Sequence, residues 1–186
     1  NLKRRGEGRV RAGDRKQAMQ DDWERKPRMG PLSHRLDRSV IIHASPETVF
    51  RFFTDSDRWA KWWGKGSTID ARVGGRVYIQ HPGGVETVGE VLEVDPPSRL
   101  VFTYGFASGK PIPPGSSRVT IRLESSDSAT RLHLQHEFDN EAVRDEHVQG
   151  WRFQLSLFGN AVADEVHAGA AAAADAGQLP TAEELE

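Results

Sequence analysis

The 186-residue chain contains no cysteine, so disulfide bonds, thiolate metal sites and cysteine nucleophiles are excluded. It also lacks any apolar run near the ~18 residues that a membrane-spanning helix needs. Neither sign of charge dominates, because 25 Lys and Arg stand against 27 Asp and Glu. The net charge of −2 gives no general attraction to nucleic acid or to anionic membranes. We therefore expect a cytoplasmic protein that binds neither, with a length that suits one ordinary domain.

Catalytic and cofactor motifs are missing as well. The sequence has no His-Glu-x-x-His zinc motif, no glycine-rich phosphate loop and no nucleophile paired with a base. His133 and His136 are close enough in sequence to suggest a metal pair, but three residues apart on a strand they point to opposite faces. We therefore predict a protein that holds no metal or cofactor and is not an enzyme.

The two ends of the chain differ in composition from its centre. Residues 1–35 have few large apolar side chains, too few to offset the entropy of ordering, which predicts a disordered basic arm. The arm could contact phosphates, but acidic residues dilute its charge and a solvated tail is the expectation. Residues 169–186 are rich in alanine and then polar, which predicts a flexible tail. The folded domain should span residues 36–168.

Hydrophobic periodicity predicts an α+β domain with one antiparallel sheet. A strand in LDRSVIIHA precedes two short helices, the first opening at Ser45-Pro46 and the second ending at Gly64. Six strands follow, in TIDARV, RVYIQH, VETVGEVLEV, RLVFTYGF, RVTIRLES and TRLHLQHEF. A long amphipathic helix comes last, with an apolar stripe from Val148 to Val166 that Phe153 widens. This order predicts a curved sheet wrapped around the C-terminal helix, with a cavity between them.

Aromatic residues are concentrated where they should face this cavity. Trp59, Trp62 and Trp63 stand at positions i, i+3 and i+4 of the second short helix and therefore share one face. The candidate ligand-binding residues are Trp59, Trp62, Trp63, Phe53, Phe102, Tyr104, Phe106, His136, Trp151 and Phe158. His136 is the polar member, since it interrupts an apolar strand face. The set predicts a pocket for a flat apolar ligand; the alternative is a packed core with a satisfied core histidine.

Several motifs together resemble those of the START-like SRPBCC superfamily, and most closely the subgroup related to the activator of the heat-shock chaperone ATPase. They are VIIHASPETVF, DRWAKWWG, VGGRV, GEVLEVDPPSRLVFTY, SRVTIRLE and the pair Gly150-Trp151 followed by Leu155 and Phe158. The resemblance implies the helix-grip fold. For function it implies a binder of apolar small molecules or a chaperone-modulating interaction protein. A polyketide cyclase-like enzyme is a third alternative, with His136 as its one candidate acid or base.

In length and general composition the chain also resembles the START-like proteins that protect producers of enediyne antibiotics of the calicheamicin type. There the activated diradical abstracts hydrogen from a glycine, and the protein is cleaved and consumed. The resemblance implies that the protein sequesters such a natural product in self-sacrifice, and we expect it to be a monomer. It draws attention to Gly115 and Gly109, and then Gly105, around the Pro-rich loop FTYGFASGKPIPPGSS, because a glycine backbone can approach a ligand closely. Ordinary loop chemistry is the alternative for all three.

Overall fold

The computed structural model describes residues 30–177. In chain order they form β1 (His34–Ile42), α1 (Pro46–Thr54), α2 (Ser56–Trp63), β2 (Thr68–Ile69), β3 (Arg76–Gln80), β4 (Glu86–Asp95), β5 (Arg99–Phe106), β6 (Ser117–Ser126), β7 (Ala129–Phe138) and α3 (Glu141–Ala176). The strands form one antiparallel sheet of order β1-β7-β6-β5-β4-β3-β2. The predicted helix-grip fold, with two short helices after the first strand and a long helix last, is confirmed.

Local capping chemistry sets the two short helices. The Ser45 hydroxyl caps α1, and the carboxylate of Asp55, which ends α1, accepts a hydrogen bond from the Arg58 amide at the start of α2. Gly64 ends α2 with a φ of +145°, and a Cβ there would lie 2.3 Å from the carbonyl oxygen of Gln80. Glycine is therefore required where α2 meets β3.

The sheet curves around α3. A register shift between Val91 and Glu93 in β4 marks a bulge, and bulges bend the strand that contains them. The concave face packs on the three helices and holds the core. The convex face carries cross-strand ion pairs, of which Arg118 with Glu137 is an example at 2.8 Å.

The long helix α3 is joined to the rest of the domain along its first two thirds. Asn140 caps it by accepting a hydrogen bond from the Val143 amide. Its buried side chains are Trp151, Gln154, Leu155, Phe158 and Val162. The side-chain amide of Gln154 donates to the carbonyl oxygen of Trp62, and the Arg58 guanidinium binds the Glu165 carboxylate at 2.9 Å. Both contacts tie α3 to α2.

Two predictions about individual elements need correction. Only Thr68–Ile69 of the predicted strand TIDARV pair with β3, because residues 70–75 form a turn in which the Gly75 amide donates to the Arg72 carbonyl oxygen. Phe153 was expected to widen the buried stripe of α3 but is 65% exposed, and Val166 is 38% exposed. At about 100° per residue Phe153 lies on the side of α3 opposite to Trp151, and Val166 lies beyond Val162, the last buried residue of the helix.

Regular structure extends past both predicted limits of the domain. Strand β1 begins at His34, inside the predicted arm, and α3 continues to Ala176, beyond the predicted limit at residue 168. Alanine has the highest helix propensity, which explains the longer helix. Most of the predicted arm (1–29) and the end of the predicted tail (178–186) lie outside the described residues. No helix between residues 30 and 177 is both long and apolar enough to cross a membrane.

Candidate functional site

The structure brings all ten predicted ligand-binding residues together between the concave face and α3. We call nine of them the aromatic cluster: Phe53, Trp59, Trp62, Trp63, Phe102, Tyr104, Phe106, Trp151 and Phe158. All except Phe106 are less than a tenth exposed. Neighbouring rings are in direct contact, with centroids 4.7 Å apart for Phe53 and Phe158 and 4.4 Å apart for Trp62 and Trp63.

The predicted hollow between the sheet and α3 is filled by these rings. Two grooves open on the surface of the described residues, one of about 540 Å³ on the convex face and one of about 580 Å³ between β1 and α3. Neither is lined by a member of the aromatic cluster. Each aromatic pair contributes ~0.5–1.5 kcal/mol beyond area burial, so closing the space on itself is favourable. A ligand that enters the aromatic cluster must therefore displace rings.

The three neighbouring tryptophans differ in how their indole N–H groups are bound. Trp59 donates to the carbonyl oxygen of Tyr78 at 3.2 Å, and Trp62 donates to that of Phe52 at 3.0 Å. The buried indole nitrogen of Trp63 has no hydrogen-bond partner among the described residues. An unsatisfied buried donor costs ~1–3 kcal/mol, so Trp63 is the position in the aromatic cluster where an acceptor from outside would be most stabilising.

His136 lies at the centre of a closed hydrogen-bond chain. The Trp151 indole N–H donates to its Nδ1 at 2.9 Å, so the proton of the neutral ring is on Nε2. Nε2 then donates to the Ser117 hydroxyl at 2.8 Å, which donates to the carbonyl oxygen of Tyr104 at 2.7 Å. Neither ring nitrogen is free for a ligand. The arrangement corresponds to the satisfied core histidine that the sequence left as an alternative.

Burial keeps the central polar groups neutral. It lowers the pKa of His136 well below its usual range, helped by nearby His147, and raises the pKa of Tyr104 to about 12. A general acid or base works best with a pKa near the operating pH, and these two are displaced in opposite directions away from it.

Solvent reaches the aromatic cluster at a rim formed by His81, Phe106 and His147, all of them half-buried. The His147 ring lies 6.0 Å from Phe106 and 5.9 Å from Tyr104, and the His81 ring lies 5.7 Å from Trp63. Burial lowers the pKa of both histidines. Sequence reasoning missed both. His147 could have been found from its place four residues before Trp151 on the apolar stripe, whereas His81 had no such signal.

The glycine loop, residues 107–116, begins directly at this rim. It is attached to β5 by hydrogen bonds between the Phe106 amide and the Ile112 carbonyl oxygen and between the Gly109 amide and the Phe106 carbonyl oxygen. Gly109 and Gly115 have φ angles of +82° and +78°, and nothing lies within 4 Å of a Cβ placed on either. A Cβ on Gly105 would lie 2.0 Å from the carbonyl oxygen of Pro113. The α-hydrogens of Gly109 and Gly115 are thus more open to a reactant.

The two histidines of β7 do lie on opposite faces. His133 pairs with Glu124 on the convex side at 3.2 Å, while His136 is fully buried. Within residues 30–177, no three His, Asp or Glu side chains converge in an arrangement that could hold a metal ion.

The fold consists of a curved antiparallel sheet, two short helices and a long C-terminal helix packed on the concave face of the sheet. A comparison with protein families agrees with this fold. Residues 43–162 match the model for "Activator of Hsp90 ATPase homolog 1-like protein". The chain belongs to this family. The AHSA1-like domain, as we now call it, is part of the SRPBCC superfamily. No protein of curated function matches it significantly.

Solved structures show the same fold. CalU16 from Micromonospora echinospora is 27% identical, with a TM-score of 0.59 over 75% of this chain and 84% of that one. The Aha1 dimer from Colwellia psychrerythraea is 19% identical, with a TM-score of 0.60 over 69% and 95%. DynU16, a protein in the dynemicin biosynthetic locus, is 20% identical, with a TM-score of 0.59 over 69% of this chain and 46% of that one.

Proposed function

We propose that the AHSA1-like domain captures a bulky, largely apolar natural product at the rim and aromatic cluster, and that this ligand is an enediyne. The observation that carries the proposal is Trp63, whose buried indole N–H finds no acceptor among the described residues although four aromatic rings pack around it. Small-molecule sites combine mostly apolar walls with a few polar anchors. The protein would act as a cytoplasmic monomer.

Ligand entry would begin at the rim. Phe106, His81 and His147 are the half-exposed rings above the buried ones, so they are the side chains that can move without exposing the whole core. A carbonyl or hydroxyl oxygen of the ligand could then accept from Trp63. Several hundred Å² of buried ligand surface corresponds to ~5–8 kcal/mol before the costs of association.

The glycine loop would also react with the captured ligand, by donating a hydrogen atom to it. An aryl radical carbon of the activated diradical would take a hydrogen atom from an open glycine Cα, forming a C–H bond and leaving a carbon radical between two amide groups. Dioxygen would add to that radical, and the resulting peroxyl species would lead to backbone cleavage. One protein is consumed in each event, so the domain would be a sacrificial protectant and not a catalyst. Gly109 and Gly115 are the better donors, because their α-hydrogens are open.

The relatives support the choice of ligand class. CalU16 is 27% identical in sequence to this chain, and the match covers 75% of this chain. DynU16 belongs to the locus of dynemicin, an enediyne, and shares the fold. The bulky ring system of an enediyne also suits a site whose walls are aromatic.

Tryptophan fluorescence titrated with an unactivated enediyne tests capture. We expect a saturable change in the wild-type protein and roughly tenfold weaker binding in Trp63→Phe, which keeps an aromatic ring but removes the donor. Trp62→Phe is the comparison within the same cluster: its N–H is already bound to the Phe52 carbonyl oxygen, so the change lowers stability without removing a donor for the ligand, and affinity should fall less than in Trp63→Phe. Equal affinity in Trp63→Phe and wild type would remove the proposed anchor.

The family match favours a second candidate, a chaperone-modulating interaction protein. Its surface would be the convex face, where the groove of about 540 Å³ is bordered by ion pairs such as Arg118 with Glu137. Stimulation of a chaperone ATPase by the purified domain, reduced in Arg118→Ala and unaffected by Trp63→Phe, would favour this function over capture.

A further inference from the structure

The groove between β1 and α3 has the features of a second ligand site. We infer that it binds an amphipathic carboxylate, whose charged head is held by Arg38 and Arg152 and whose apolar tail lies on Val40 and Leu155. This inference does not depend on enediyne capture, because no residue of the aromatic cluster, the rim or the glycine loop lines the groove. Arg38 also borders the convex-face groove, so Arg152, which lines this groove alone, separates the two surfaces.

The groove lies where the edge strand of the sheet meets the side of α3. Its volume is about 580 Å³, and its lining residues are Arg38, Val40, Arg152, Leu155 and Ser156. Strand β1 pairs on one side only, so the groove is open along its length. Apolar surface is therefore bordered here by two guanidinium groups and one hydroxyl.

The charges of the groove are uncompensated. Seven other described arginines have carboxylate partners within 4 Å: Arg35, Arg58, Arg72, Arg99, Arg118, Arg122 and Arg144. Arg51, Arg76 and Arg131 have no carboxylate partner among the described residues either, but they stand apart from the groove, whereas Arg38 and Arg152 line it together. Arg152 has no ion pair or hydrogen bond within residues 30–177. Arg38 donates from Nη1 to the carbonyl oxygen of Asp37, but its buried Nε has no acceptor among the described groups. Two unpaired cations, one of which has a desolvated N–H donor, together favour an anion.

A carboxylate satisfies these groups best. A guanidinium binds a carboxylate through two parallel N–H···O bonds, and such charge-assisted bonds are about twice as strong as neutral ones. The Ser156 hydroxyl can donate a further bond. Val40 is partly buried and Leu155 is 5% exposed, so they offer a short aliphatic floor rather than an aromatic slot. An alkyl carboxylate of medium length has the matching chemistry.

Binding can be tested with octanoate, and with 1-octanol as a neutral analogue of the same chain length. In the full chain we expect octanoate to shift the backbone amide resonances of Val40, Leu155 and Ser156 in a saturable way, and 1-octanol to bind roughly tenfold more weakly. Arg38→Gln and Arg152→Gln should each weaken octanoate binding by a similar factor. Arg131→Gln is the matched control, since Arg131 is exposed on the convex side of β7 and outside the groove.

A charge reversal keeps the test informative if Arg38→Gln unfolds. Arg152 is exposed on α3, and Arg152→Glu should lose octanoate binding and gain binding of octylammonium at the same amides. The inference is overturned if octanoate leaves these resonances unchanged, if 1-octanol binds equally well, or if both arginine variants bind octanoate as Arg131→Gln does. Loss of enediyne capture in Trp63→Phe would leave these results unaffected, so the two sites are tested separately.

Discussion

Replacing Gly109 and Gly115 together by alanine should protect the protein from cleavage by a thiol-activated enediyne. Both glycines present open α-hydrogens in the loop that begins at the rim, whereas a tertiary alanine Cα–H is partly screened by its methyl group. In the wild-type protein, mass spectrometry after activation in air should show two fragments whose masses place the cut at residue 109 or 115. The double variant should remain intact while it still binds the ligand.

Gly74→Ala is the matched control for this experiment. Gly74 has the same left-handed backbone, with a φ of +83°, and the same open surroundings. Gly74 lies apart from the glycine loop. Its amide donates to the Val91 carbonyl oxygen in the middle of β4, whereas Ala107 at the start of the glycine loop is bonded to Glu86 at the start of β4. Alanine there carries the same conformational strain, ~1–2 kcal/mol, and should leave cleavage unchanged.

Isotope labelling provides the second measurement of the sacrificial step. Protein labelled with α-deuterated glycine should transfer deuterium to the aromatised ligand, because the abstracted atom is an α-hydrogen. Wild-type protein that keeps its full mass, or a product without deuterium, would eliminate this step while leaving capture intact.

His136→Ala should destabilise the domain by roughly 3 kcal/mol or more. The substitution opens a cavity in the core and leaves the Trp151 indole N–H without its acceptor and the Ser117 hydroxyl without its donor. Urea unfolding at neutral pH measures the effect. His133→Ala is the matched control on the same strand: its ring is half-buried on the convex face, and its exposed pair with Glu124 should be worth about 1 kcal/mol or less.

The same histidine should make the domain sensitive to acid. Burial depresses the pKa of folded His136, so below about pH 6.5 the unfolded chain binds a proton that the folded chain does not. Stability is therefore complete above the unfolded pKa and falls as the pH decreases, by up to about 1.4 kcal/mol per pH unit for each such histidine. His81 and His147 act in the same direction. The slope between pH 6.5 and 5.5 should be smaller in His136→Ala; an identical slope would contradict the assignment of a neutral buried ring.

Repeating local patterns in the sequence were sufficient to predict the fold class. Alternation in RLVFTYGF and RVTIRLES placed Phe102 and Ile121 on the buried face, and both are about 1% exposed. Ser45 and Gly64 predicted the limits of the short helices because capping is a property of neighbouring residues. The positions of Trp59, Trp62 and Trp63 on one helix face followed from helical geometry alone.

Only the tertiary structure decided whether the rings of the aromatic cluster would surround a cavity between the sheet and α3 or fill it. Packing depends on rings from distant segments, such as Phe53 and Phe158, meeting at van der Waals distance, and no local pattern determines that distance. The groove beside β1 depends in the same way on long-range contact, because Arg38 and Arg152 are more than a hundred positions apart in the chain.

Hydrogen bonds across the core were likewise decided by the tertiary structure. The sequence presents three equivalent indoles on one short helix and one histidine on a strand. The fold satisfies Trp59, Trp62 and His136 but leaves Trp63 without an acceptor among the described residues. The physical reason is that each partner belongs to another element, so its position is fixed only when the sheet closes around the helices. The sequence by itself therefore determined the buried face of most strands and of the short helices, and the tertiary structure determined how far α3 is buried and which buried residues still have a free polar group.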